Sequence, residues 1–244
     1  MTLLEEARAK LIDIVKDQQW SKNEKIMIVS ARDLTPEEAI GKPDRDDYPL
    51  LKGKEVMMEA RFRDGVGQAF TDQAGRFAGT LGEVLKLPLD TNFRRAVFVA
   101  TLNAVMRSLG QVDATVHCKD DEPARCAKEL PNYISRKYGW PNKIAFIGLQ
   151  PGLIQALHEA DFDLMLTDLN PDNIGKVRCG VPIYDAAMNA EHVRWADIVL
   201  ATGSVLVNDT YHELQQGKPI IYYGVTAAGL AKMFNFPRYC YCGR

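Results

Sequence analysis

The sequence predicts an α/β protein in which an α+β first half, residues 1–139, is followed by a parallel-sheet second half, residues 140–244. Three observations carry this. Before residue 139, strand-like and helix-like patterns follow one another without regular alternation. After it, short apolar strands alternate with helical patterns, the signature of right-handed βαβ units. Between the two, Gly139-Trp140-Pro141-Asn142 interrupts both patterns.

In the first half, Leu3, Leu4, Ala7, Leu11, Ile12 and Val15 recur at helical spacing over residues 2–16, and Thr2 with Glu5 reads as a capping box. Ile26–Ala31 reads as a strand. Asp33–Tyr48 is rich in charge and proline without a period, and reads as a loop. Glu55–Phe62 alternates as a strand does, and Gly65-Val66-Gly67 turns into another at Gln68–Thr71. Asn92–Leu109 is a long helical pattern with a core face that includes Ala96, Val97, Ala100, Ala104 and Val105. Asn103 within it reads as a satisfied core amide. Ala114–Val116 reads as a short strand, and Asp121–Tyr138 as a polar helix broken near Pro131.

In the second half, Lys143–Ile147, Asp163–Thr167, Asp197–Ala201 and Pro219–Tyr223 read as buried parallel strands. Pro151–Ala160 and Ala186–Trp195 read as helices between them, Pro151 suiting a first turn. Ile198-Val199-Leu200 stops at the small polar loop Thr202-Gly203-Ser204. Asn208 or Asp209 then caps a helix from Tyr211 to Gln216, ended by Gly217 and Pro219. Gly224 leads into a short helix through Met233.

A chain of 244 residues can bury a sizeable core, and 46% hydrophobic with 25% charged residues is ordinary for a globular protein. The net charge of −2 gives no reason to expect nucleic acid or an acidic membrane as partner. No apolar run reaches the roughly 18 residues of a membrane span. Met1–Lys16 carries Glu5 and Glu6 in a helical period, unlike a signal peptide, which points to a cytoplasmic location. There the five cysteines are free thiols or metal ligands rather than disulfides. A homo-oligomer remains open.

Four loops follow the predicted parallel strands: Gly148-Leu149-Gln150-Pro151-Gly152, Asp168-Leu169-Asn170-Pro171, Thr202-Gly203-Ser204 and Gly224. A parallel sheet delivers all four to one edge, where such sheets bind ligands. Backbone N–H groups near Gly203 and Ser204 then hold negative charge, and Asp168 and Asn208 orient the ligand. Gly148, Pro151, Asn170, Thr202, Thr210 and Gly224 complete the rim. Asp168 stands 20 residues after Gly148, the spacing at which an acid meets a ribose hydroxyl, and it equally caps the next turn. The glycines read GxxxG rather than GxGxxG, and Pro151 removes an N–H from any phosphate cradle. Gly65 and Gly67 allow close backbone approach, with Thr71 and Asp72 offering oxygens, or else they shape a hairpin turn.

Cys118 and Cys126 flank an acidic segment, and Cys240 and Cys242 form a C-x-C. Brought together, four thiolates make a closed site for a soft metal; otherwise they are small buried hydrophobes. Neither spacing is the C-x2-C of zinc ribbons, and Cys179 stands alone. His117 and Cys118, as strand neighbours, point to opposite faces and are not expected to share a ligand. His158 and His192 sit in helix patterns, facing solvent or a satisfied pocket. Ser204 lacks a G-x-S-x-G context, so no hydrolase triad is assigned.

GVGQAFTD at 65–72, Phe77–Gly79 and RRAVFVATLNAV at 94–105 resemble the first half of an uncharacterised two-part family. IAFIGLQPGLI at 144–154 and ATGSVLVNDT at 201–210 resemble its second half, known as the "Putative heavy-metal chelation" domain. TGS-x-L-V-N-x-T at 202–210 is the most specific part, and the resemblance runs over residues 50–230. It implies an enolase-N-terminal-like first domain, a Rossmann-like second domain and a site in the cleft between them. It transfers no enzyme activity. The reading this favours is a binding protein for a small anionic ligand or a metal ion, with no defined cofactor beyond the metal. The alternative is an enzyme using a nucleotide-like cofactor, S-adenosylmethionine or a dinucleotide, with Asp168 accepting from a ribose. A third is a scaffold whose paired domains mediate assembly.

Overall fold

The computed structural model describes residues 1–18, 25–26, 34–52, 55–140 and 143–244. Most of the expected strand Ile26–Ala31 lies outside the described residues, as do Asp33, Pro141 and Asn142.

Helix α1 (Leu3–Asp17) starts in the expected capping box. The Glu5 N–H donates to the Thr2 hydroxyl, and the Thr2 N–H donates to the Glu5 carboxylate at 2.7 Å. Leu3, Leu4, Ala7, Leu11 and Val15 form its buried face. A two-residue strand, β1 (Lys25–Ile26), follows. The segment expected as loop contains helix α2 (Pro36–Ile40), which starts in a second capping box between Thr35 and Glu38. Five residues are too few to show a period, but the T-x-x-E motif marks the start.

Strands β2 (Val56–Phe62) and β3 (Gly65–Thr71) form an antiparallel hairpin, Val56 opposite Thr71 and Phe62 opposite Gly65. Its turn falls at Arg63-Asp64, so Gly65 and Gly67 lie within the strand and do not shape the turn. Strand β4 (Gly79–Thr80) pairs with β1, and helix α3 (Leu81–Val84) leads to the long helix α4 (Asn92–Ser108). A Cβ on Gly65 or Gly67 would run into the α4 backbone at Ala100 and Ala104. These glycines admit a helix, not a ligand. Asn103 is a satisfied core amide, as expected. It donates to the Gln68, Val225 and Thr226 carbonyls at 2.9–3.2 Å and accepts the Gly229 N–H at 2.7 Å.

Residues 114–116 do not form a strand. Instead Val116 exchanges backbone hydrogen bonds with Arg244, and the Gln68 N–H donates to the Thr115 carbonyl. Helix α5 (Glu122–Tyr138) runs unbroken through Pro131. An internal proline costs a helix about 3 kcal/mol. The buried stripe Pro123, Ala127, Leu130 and Ile134 offsets that, at about 1.5–3 kcal/mol per large apolar side chain.

The second half supplies β5 (Lys143–Ile147), α6 (Pro151–Glu159), β6 (Asp163–Asp168), β7 (Val177–Arg178), β8 (Val181–Asp185), α7 (Asn189–Trp195), β9 (Ile198–Thr202), α8 (Ser204–Val207), β10 (Ile220–Tyr223), α9 (Ala228–Phe234) and β11 (Arg238–Tyr239). They form a seven-stranded sheet in the order β11-β10-β9-β5-β6-β8-β7, parallel throughout except for β7. Strands β7, β8 and β11 have no counterpart in the sequence reading. The expected helix over 211–216 is a 3-10 turn, Tyr211–Leu214, with no side-chain cap from Asn208 or Asp209. The helical turn comes earlier, at α8, where Val205, Leu206 and Val207 turn into the core.

Alternate residues of the central strands face opposite sides. Ile144, Phe146, Leu200 and Ile221 pack with α5 and α6. Ala145, Ile147, Val199, Ala201 and Tyr222 join one core with residues of α1, α4, α7 and α9. Helices α1 and α4 with the β2–β3 hairpin therefore dock on one face of the sheet, while α5 and α6 cover the other. Among the described residues, no helix is long and apolar enough to cross a membrane.

Candidate functional site

The chain runs outward from β5 through β6 to β8, then returns across β5 to β9, β10 and β11. The carboxyl ends of β5 and β9, side by side at this reversal, carry the loops at Gly148 and Thr202. Gly148 adopts φ +91°, and a Cβ there would crowd the Thr202 side chain, so glycine is required for both reasons. Its N–H donates to the Thr167 carbonyl at 2.8 Å, and the buried Tyr223 hydroxyl donates to its carbonyl at 2.9 Å.

The strand-end loops gather as their spacing suggests. Gly148, Asp168, Asn170, Thr202, Ser204, Asn208 and Thr210 line one cleft of about 470 Å³. Its opposite wall comes from the first half and includes Lys52, Glu55, Phe70, Thr71 and Asp72. Gly224 instead borders a second chamber of about 100 Å³, which shares Glu55, Phe70, Gly148 and Thr202 with the cleft.

Four expected site residues lie elsewhere. Gly65 and Gly67 pack against α4. Pro151 is buried as the first residue of α6, where its missing N–H costs nothing. Gly203 is buried against Thr226 and Ala227, and its N–H donates to the Tyr223 carbonyl at 3.0 Å. The Ser204 N–H turns to the Thr202 hydroxyl at 3.4 Å. The amides expected to hold an anion are thus used within the fold, and α8 is a single turn.

Asp168 also serves its own loops. Oδ2 accepts the Leu149 N–H at 2.8 Å; Oδ1 accepts the Asn170 N–H at 2.8 Å and the Asn173 amide at 3.1 Å. This is the turn-capping alternative, extended to hold the β5 and β6 loops together.

Carboxylates dominate the electrostatics. Glu55 opens onto the cleft as an exposed side chain. Desolvation, then the charges of Asp168 and Asp72, push its carboxyl up to about 7. Burial, then Glu55 and Asp168, holds the Tyr223 hydroxyl well above its ordinary range, so it stays a donor. Asp72 accepts the Asn92 amide at 2.8 Å, and Asp47 is paired with Arg45. Among the described residues, Lys52 and Arg178 are the basic side chains on the wall. Asn208 Oδ1 is buried there with no partner. Sequence reasoning missed Glu55, because a glutamate opening an alternating strand carries no local sign that it faces acids from other segments.

Cys118, Cys126 and Cys240 reach the smaller chamber together with His117. Because 114–118 is not a strand, His117 and Cys118 share a cavity after all. All five cysteines are free thiols. Among the described residues, no three His, Cys, Asp or Glu side chains are yet spaced to hold a metal ion. Cys179 lies apart, accepting from Arg45 at 3.5 Å. His192 is buried with Nδ1 unpartnered, edge-on to Tyr184, rather than satisfied.

Residues 135–237 match the DUF364 family model. Its description is "Putative heavy-metal chelation". The crystal structure of a DUF364 protein of unknown function from Pyrococcus horikoshii shares the fold, with TM-score 0.55 and 16% identity over 93% of this chain and 80% of that one. A DUF364 protein of unknown function from Desulfitobacterium hafniense aligns with TM-score 0.49 and 18% identity over 73% and 72%. No curated protein matches the chain. The DUF364 segment covers the sheet from β5 to β10 and the cleft loops that follow its strands.

Proposed function

We propose that the protein binds a cation, a hydrated divalent metal ion or a small ligand carrying one, in the cleft between its two halves. One observation carries this: Glu55 and Asp72 from the first half meet Asp168 from the second across a single cleft. Partial desolvation within the cleft and the nearby charges of Asp168 and Asp72 raise the cost of ionising Glu55, and a cation among these groups lowers that cost. The DUF364 description supports metal as that cation. The buried Asn208 Oδ1 adds a neutral oxygen donor. Carboxylates too far apart for direct three-point ligation suit an ion that keeps part of its water shell.

In this reading residues 140–244 are a Rossmann-like domain. The order β8-β6-β5-β9-β10-β11 is the doubly wound order, with its crevice at the β5/β9 switch point. The hairpin β2–β3 against α4 supports an enolase-N-terminal-like domain over residues 1–139.

The test is titration of untagged protein with Mn(II), following the free ion by its EPR signal. Saturable uptake is expected, strengthening as pH rises through about 7, because Glu55 gains its charge there. Asp72→Asn should weaken it at least about tenfold, a loss of about 1.4 kcal/mol. Absence of uptake on both sides of neutrality would overturn the reading.

The strand order also favours a second reading, a nucleotide-like cofactor. The three hydrogen bonds Asp168 accepts within its loops, and Pro151 at the start of α6, weigh against it. A cofactor at about 100 times its dissociation constant would add about 2.7 kcal/mol of stability. Neither S-adenosylmethionine nor NAD is expected to shift the melting temperature. A shift that vanishes in Asp168→Ala would put this reading first.

A further inference from the structure

The smaller chamber differs in chemistry from the cleft it adjoins. Three thiols reach it from separate parts of the chain: Cys118 ahead of α5, Cys126 in the first turns of α5, and Cys240 just after β11. His117 lines the same chamber, its Nδ1 buried without a hydrogen-bond partner. So does Tyr48, 2% exposed, whose hydroxyl is likewise unpartnered. Buried polar atoms are rarely left unpaired, and two beside three thiols on one small wall form a donor set.

Residues 238–244 are tied to the segment ahead of α5. Arg244 and Val116 exchange backbone hydrogen bonds at 2.8 and 2.9 Å, and the Arg244 guanidinium donates to Glu122 at 2.7 Å. Arg238 donates to the carbonyls of Gly224, Asp113 and Ala114. These ties position Cys240 on the chamber and hold Cys242 in the segment between it and Arg244. The DUF364 match spans 135–237 and contains none of these four cysteines, so the family description does not account for the cluster.

We propose that Cys118, Cys126 and Cys240 bind a soft d10 cation of the Cu(I), Cd(II) or Hg(II) class, with Cys242 and His117 Nδ1 as further donors. Thiolates select such ions over the hard cations that carboxylates prefer. The step is ligand exchange without electron transfer. Each S–H gives its proton to water as its sulfur–metal bond forms, and the ion sheds the waters it came with. A cysteine thiol ordinarily holds its proton at neutral pH, so uptake releases protons. The donors are not yet at ligating distance, so the site closes by rotation of cysteine side chains. The inference rests on the metal part of the proposed function, not on the cleft.

The test is titration of the reduced full chain with Cd(II) under anaerobic conditions, following thiolate-to-cadmium charge-transfer absorbance and proton release. One saturating equivalent with both signals is expected, unchanged in Asp72→Asn and in Cys179→Ser. Cys240→Ser and Cys126→Ser should each bind at least about tenfold more weakly. Far-UV circular dichroism of both serine variants checks that the fold is kept. Cadmium bound without the charge-transfer band, equal affinity in both serine variants, or no uptake would each overturn the proposal. If Mn(II) uptake persists in any of those cases, the cleft reading survives and this one falls.

Discussion

Replacing Asn103 by alanine is expected to remove about 3–5 kcal/mol of unfolding free energy. The side chain is fully buried and bonds to four backbone groups, three carbonyls and the Gly229 N–H. Each buried group left unpaired costs about 1–3 kcal/mol, and a domain of ordinary stability has only about 5–15 kcal/mol in all. The partners lie on β3 and on the segment from Val225 to Gly229, so the loss strikes where the first half meets the sheet. Urea unfolding is the measurement. A fall below about 1 kcal/mol would mean that the four groups find other partners, and the role assigned to this amide would be wrong.

Gly67→Ala is expected to be nearly as damaging, at about 2–4 kcal/mol. The added methyl meets the Ala100 carbonyl and the Ala104 N–H, which are helix backbone and cannot rotate aside. Overpacking against such a wall costs about 1–3 kcal/mol, and here the strand must also shift in register with its partner. At this chain length each kcal/mol lowers the melting temperature by about 2–4 °C. Gly175→Ala is the control. Its φ is +76° but nothing lies within 4 Å, so only about 1 kcal/mol of backbone strain is expected. Equal losses in the two variants would rule out helix contact as the reason for Gly67.

Much of the fold was legible wherever a pattern was long enough to repeat. α1, α4 and the strands β5, β6, β9 and β10 declared themselves by period and apolar run. α2, α8 and β11 did not, since elements of two to five residues cannot show a period. α5 was misread at Pro131 because local propensity was outweighed by a buried stripe that only tertiary packing reveals. The site divides along the same line. Topology alone puts Gly148, Asp168, Asn170 and Thr202 on one rim once the sheet is parallel. Which amides are spent on internal hydrogen bonds, as at Gly203, depends on neighbours remote in sequence. So does the arrival of Glu55 opposite Asp168, and of Cys240 beside Cys118.

The apolar core that runs from Leu3 and Leu11 through α4 to Val199 and Leu230 has a practical corollary. Severing the chain between residues 139 and 140 would leave each fragment with a greasy flank stripped of its cover, and would part α5 from the strands beneath it. Neither fragment is a transplantable module. The recess between them draws its walls from both, Glu55 and Asp72 from one and Asp168 and Asn208 from the other, so neither fragment carries it whole.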